Sequence, residues 1–125
     1  MKILTVCQGG NCRSVGLKDL LGGTVIPRPD VLACGWQWNT PETREMLYAW
    51  ADLIIVMQPY IAEHVPEKYH NNPNGTRRLY CFDVGPDVWG MAQHPELRAK
   101  LVALCQASGI FIPLESTAES ITNFP

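Results

Sequence analysis

Lys2-Ile3-Leu4-Thr5-Val6-Cys7-Gln8-Gly9-Gly10-Asn11-Cys12-Arg13-Ser14 is the stretch that decides the fold. Lys2 to Val6 is an apolar run of strand length, and it ends at the sharp break Gln8-Gly9-Gly10-Asn11. Val15 to Leu21 then places apolar residues at 15, 17, 20 and 21, one face of a helix, and Gly22-Gly23 supplies its stop. Outward from this unit the same alternation repeats. Val31-Leu32-Ala33-Cys34 predicts a second strand. Thr40 before Pro41 predicts a helix start, a hydroxyl cap followed by proline at the first helical position. That helix is expected to turn Met46, Leu47 and Trp50 inward and Glu42, Arg44 and Glu45 outward. Asp52 closes it. Leu53-Ile54-Ile55-Val56-Met57 then reads as a strand covered on both faces. Pro59 to His64 predicts a short helix, Asn71-Asn72-Pro73-Asn74-Gly75 a loop, and Arg78 to Phe82 a fourth strand. His94-Pro95-Glu96 opens a last helix with Leu97, Leu101, Leu104 and Cys105 at helical spacing and Gly109 as its stop. Strand and helix thus alternate four times, the pattern of an α/β domain with a parallel sheet flanked by helices.

The 125 residues suit one domain, 1–125, whose tail at 110–125 has no clear periodicity and stays unassigned. With 46% hydrophobic and 18% charged residues the chain can bury a core without metal or disulfide, and it is too apolar for global disorder. A formal net charge of -2 argues against nucleic acid or an anionic membrane as partner. The amino-terminal apolar run is too short for a secretory signal or a membrane span. Five cysteines cannot all pair within one chain, so thiols in a reducing cytoplasm are expected.

Parallel sheets take ligands at the carboxyl ends of their strands, which directs attention to the loop after the first strand. In that loop Cys7 is followed by Gln8, Gly9, Gly10, Asn11 and Cys12, then by Arg13 and Ser14 at a helix start. Glycines let successive amide N–H groups point to one centre, and the helix end adds its own N–H groups and positive dipole. Arginine offers a planar fork for two oxygens. Together they make a cradle for a tetrahedral anion, in whose positive field a thiol falls below its ordinary pKa. A nucleophilic sulfur under a bound phosphate suits phosphoryl transfer through a phosphocysteine. The loop lacks the lysine of a nucleotide-binding P-loop and the third glycine of a dinucleotide fingerprint. Cys7 and Cys12 could also be plain buried thiols.

These residues resemble the low-molecular-weight protein tyrosine phosphatase family, with Cys7, Arg13 and Ser14 matching its loop and Cys12 at its second-cysteine position. Ala33-Cys34-Gly35 is similar to the family's Ser-Ala-Gly segment, and Ala51 to Met57 to its third strand. Asp87-Val88-Trp89-Gly90 is similar to its general-acid loop, with Val88 in place of proline and Asp83 as the alternative acid. The family's usual asparagine three residues after the nucleophile is Gly10 here, and much of its central loop is missing. The likeness covers roughly residues 1 to 107. It implies a three-layer domain with strand order 2-1-3-4. It also implies a cysteine-dependent phosphatase in which Cys7 attacks, Arg13 and the loop amides hold the phosphoryl oxygens, Ser14 supports the sulfur, and Asp87 is acid and base.

The implied partner is a phosphorylated protein or a small aryl phosphate, and no cofactor is expected. Trp36, Trp38 and Trp89 are candidate pocket walls or core residues. Cys12 is either a redox partner of Cys7 or a packing residue, and Cys34, Cys81 and Cys105 are expected in the core. His64, His70 and His94 have no zinc-like spacing to cysteines, and His94 suits a helix cap. Arg77 and Arg78 either attract an acidic substrate or decorate a solvated tip. Two alternatives stay open. One is a weak phosphate-binding or regulatory module of this fold. The other is a thioredoxin-coupled arsenate reductase, whose loop is similar and which would use Cys81 and a later cysteine.

Overall fold

Parallel neighbours cannot be joined by a tight hairpin, so each strand needs a crossover that returns over one face of the sheet. The computed structural model describes residues 1–8, 12–24, 29–37, 39–85 and 88–109. The elements run β1 (Lys2–Cys7), α1 (Arg13–Thr24), β2 (Asp30–Gly35), α2 (Pro41–Trp50), β3 (Leu53–Val56), α3 (Pro59–Glu63), a 3-10 turn (Glu67–Tyr69), β4 (Leu79–Cys81) and α4 (Pro95–Ser108). All strand pairs are parallel, in the order β2-β1-β3-β4, as expected.

The two faces of β1 and β3 separate cleanly because side chains alternate along a strand. Ile3, Cys7, Leu53 and Ile55 pack with Leu17, Leu20 and Leu21 of α1 and with Leu97, Leu101 and Cys105 of α4. Leu4, Val6, Ile54 and Val56 pack on the other face with Tyr48 of α2 and Ile61 of α3. Both central strands are therefore covered twice, which explains the unbroken apolar run of β3. Among the described residues, no helix is long and apolar enough to cross a membrane.

Four expectations need correction. Helix α1 begins at Arg13 and runs through Gly22 and Gly23 to Thr24. Burial of Leu17, Leu20 and Leu21 outweighs the cost of about 1 kcal/mol that a glycine brings to a helix. Helix α2 packs Leu47 and Trp50 on the core as expected, but Tyr48 rather than Met46 is the buried residue between them: Met46 is 72% exposed and Tyr48 only 2%. Arg44 consequently faces partly inward and donates from Nη1 to the carbonyls of Trp36 and Asn39. Cys81 is exposed rather than core, because β4 is a three-residue edge strand. Arg78 is buried, not on a solvated tip, and donates from Nε to Asn72 Oδ1 at 3.0 Å.

Burial pushes the thiols of Cys34 and Cys105 up to about 12 from an ordinary 9.0; at Cys34 the charge of Cys7 adds to the rise and Arg44 opposes it. Above pH ~9 the unfolded chain releases these protons while the native chain keeps them. Stability is therefore intact below ~9 and falls as pH rises toward 12, by roughly 1.4 kcal/mol per thiol at pH 10. Thermal melts at pH 8 and 10 should show this drop. It should be smaller in Cys105→Ala, and an equal drop in that variant removes the attribution.

Candidate functional site

β1 carries Cys7 to the carboxyl edge of the sheet, in register with Gly35 at the end of β2. Pairing continues past the strands: Trp36 N donates to the Cys7 carbonyl at 2.9 Å and Gln37 N to the Gln8 carbonyl at 3.1 Å. Gln8 is exposed, and its Nε2 donates to Gln37 Oε1 at 2.7 Å. Cys7 Sγ lies 3.1 Å from Ser14 Oγ, and both residues are buried. Either atom can donate while both are neutral. A thiolate only accepts, so Ser14 is then the donor.

Two residues that sequence reasoning missed set the start of α1 in place. Thr5 is buried in the middle of β1 and donates from Oγ1 to the Ser14 carbonyl at 2.8 Å. That bond ties the first turn of α1 to the strand that carries Cys7. Its signal was a single hydroxyl within Ile3-Leu4-Thr5-Val6, since a buried hydroxyl needs a partner. The second residue is Gly16, where a Cβ would stand 2.7 Å from the carbonyl oxygen of Ala92. Without a side chain there, the segment before α4 lies directly on α1. Nothing in the sequence announces that contact.

Arg13 is the first residue of α1 and is 0% exposed. Its Nη1 donates to Gln58 Oε1 at 2.6 Å and to the Gly85 carbonyl at 2.7 Å. Gln58 follows β3 and Gly85 follows β4, so three strand ends converge on one guanidinium. Gly85 has φ +77, a left-handed conformation that favours glycine. Arg13 Nε and Nη2 are buried with no hydrogen-bond partner among the described residues. Those two groups share one edge of the planar guanidinium. Such an edge gives two parallel bonds to oxygens of a carboxylate or phosphate.

Gly9, Gly10, Asn11, Trp38 and Asp87, and the tail at 110–125, lie outside the described residues. Cys12 is buried in the same cluster as Cys7. Asp83 is exposed and its Oδ1 accepts from Gly85 N at 3.2 Å, a turn that shapes the Arg13 acceptor. The Trp36 ring stacks on His64 with centroids 4.0 Å apart, and the Arg44 guanidinium lies over it at 5.6 Å. Both groups therefore cover part of the Trp36 ring, and His64 is itself exposed. Trp89 packs against the core beside α1 and α4, with the His94 ring 5.6 Å away. His94 caps α4, its Nδ1 accepting from Glu96 N at 3.2 Å. Arg77 lies over the Tyr80 ring at the wall of an open cleft of about 690 Å³. Met1, Asp52 and Leu53 also line that cleft, so it sits at the amino ends of β1 and β3, away from Cys7.

Together these features define an α/β protein with a buried thiol and a buried arginine fork at the carboxyl edge of its sheet. No family model, no curated protein and no solved structure matches the chain. The chemistry of the site rests on its own geometry.

Proposed function

We propose that the chain is a phosphomonoesterase acting on phosphotyrosine in proteins through a phosphocysteine on Cys7. This is the chemistry of the low-molecular-weight phosphatases its loop resembles. The observation that carries this reading is Arg13, a buried guanidinium whose Nε and Nη2 donors have no partner among the described residues. An oxyanion supplies both the charge and the acceptors that such a group lacks.

In the first step the Cys7 thiolate forms a sulfur–phosphorus bond as the phosphorus–oxygen bond to the leaving group breaks. Asp87 gives its proton to the departing oxygen. Arg13 and the loop amides hold the equatorial oxygens through an in-line transition state. In the second step Asp87 takes a proton from water, which attacks phosphorus, and the Cys7 thiolate leaves as phosphate forms. The Ser14 hydroxyl, 3.1 Å from the sulfur, supports the thiolate in both steps. A reducing cytoplasm is the compartment this reading requires, because the reaction needs Cys7 as a thiol. The reductase alternative needs a second thiol close after Cys81, and the next cysteine, Cys105, lies far along the chain in α4.

The test is hydrolysis of an aryl phosphate by wild type and Cys7→Ser. Turnover is expected in wild type and none in Cys7→Ser, which should still bind inorganic phosphate. A wild type inactive on every aryl phosphate would falsify the reading. Phosphate binding by an inactive wild type would instead indicate a binding module.

A further inference from the structure

Gln58 occupies the N-cap position of α3, yet its side chain caps nothing there. Its amide oxygen is spent on Arg13 Nη1 at 2.6 Å. The Gly85 carbonyl takes the same nitrogen at 2.7 Å. A guanidinium has five N–H groups, and these two acceptors use the two on Nη1. Both acceptors are neutral. A buried arginine is ordinarily paired with a carboxylate, which fixes its position and cancels its charge together. Here position and charge are separated. Among the described residues no carboxylate pairs with Arg13, and the remaining edge keeps its full positive charge.

We infer that Gln58 is a positioning residue of the oxyanion site: it fixes Arg13 through Nη1 with a neutral acceptor and so reserves the charged Nε/Nη2 edge for an anion. The inference rests on the reading of this site as an oxyanion site. A glutamate of the same length would hold Arg13 equally well but would neutralise it and repel an incoming anion. Methionine would keep the size and remove the acceptor. Geometry and charge are thus separable by two substitutions.

The experiment follows alkylation of the Cys7 peptide by mass spectrometry, using anionic iodoacetate and neutral iodoacetamide, each with and without inorganic phosphate. In wild type, phosphate should protect Cys7. In Gln58→Glu the iodoacetate rate relative to iodoacetamide should fall about 10-fold. The phosphate concentration giving half protection should rise about 10- to 100-fold, the worth of a charge-assisted contact. Gln58→Met should show a smaller loss, about 3- to 10-fold, because Arg13 keeps its charge and loses only its aim. A purely structural role would change both reagents alike and leave their ratio unmoved. The Cys105 thiol, which burial pushes up to about 12, reports unfolding by becoming reactive; if it does so in Gln58→Glu, Gln58→Met decides. Failure of phosphate to protect wild-type Cys7 overturns the reading of the site itself. Protection in wild type with an unchanged ratio and unchanged half-protection in the variant overturns the role of Gln58 alone.

Discussion

Replacing Arg13 by methionine is expected to abolish oxyanion binding and turnover while leaving the fold at least as stable as the wild type. The two effects have opposite signs for one reason. Arg13 is fully buried, and removing a guanidinium from water costs several kcal/mol. The protein offsets this with two bonds to neutral acceptors and leaves Nε and Nη2 unpartnered among the described residues. Each such buried donor costs about 1–3 kcal/mol. Methionine has similar reach, packs flexibly and carries no donor. The Gln58 and Gly85 oxygens lose their partner, but both residues are only half-buried. In the proposed reaction the same guanidinium carries transition-state charge, and an arginine in that role is worth about 1,000- to 100,000-fold in turnover. Thermal melts with inorganic phosphate separate the two effects. Saturating phosphate should stabilise wild type by about 2.7 kcal/mol at one hundred times its dissociation constant, and Arg13→Met not at all. If Arg13→Met is instead unfolded, Arg13 is structural and the case for an oxyanion site collapses.

The fold was legible because its elements obey two periods. Leu53 to Val56 is apolar at every position and is buried at every position, as a central parallel strand must be. Thr40-Pro41 marks a helix start, and the Thr40 hydroxyl accepts from Thr43 N at 3.2 Å. Gly109 stops α4 in the left-handed conformation, φ +68. What was misread was orientation. Met46, Leu47 and Trp50 suggested one stripe for α2; Leu47 and Trp50 do pack on the core, but Met46 is exposed and Tyr48 takes the buried place, with Arg44 turned partly inward. An arginine on an inner stripe is hard to foresee from sequence. Its carbonyl partners at Trp36 and Asn39 belong to a turn that exists only once β2 has paired.

The local part of the site was equally readable. Cys7, Arg13 and Ser14 are neighbours in sequence, and the strand-loop-helix unit brings Cys7 and Ser14 into contact. The non-local part was not. Gln58 lies 45 residues from Arg13 and Gly85 lies 72. Their meeting depends on β3 and β4 following β1 in the sheet, and nothing in Met57-Gln58-Pro59 distinguishes an arginine acceptor from a helix cap. Thr5 was intermediate. Its hydroxyl was visible as an anomaly in β1, but its target was not.

Asp87 and Asp83 are the two candidate acids, and the variants that separate them should differ by orders of magnitude. Asp87→Ala is expected to slow hydrolysis of phenyl phosphate by about 100- to 10,000-fold, the usual worth of a positioned general acid. The loss should shrink for nitrophenyl phosphate, whose phenolate leaves without protonation. Asp83→Ala should cost only a few-fold and should not depend on the leaving group. Asp83 Oδ1 accepts from Gly85 N at 3.2 Å, and Gly85 in turn accepts from Arg13. Its loss loosens an arginine acceptor and moves no proton. The amide variants sharpen the contrast. Asp83→Asn keeps an oxygen acceptor for Gly85 N and should recover wild-type rates, whereas Asp87→Asn cannot give up a proton and should stay as slow as Asp87→Ala. If Asp83→Asn proves crippling and leaving-group dependent while Asp87→Ala is mild, the acid is Asp83, and the turn it forms with Gly85 is the resting position of a catalytic carboxylate.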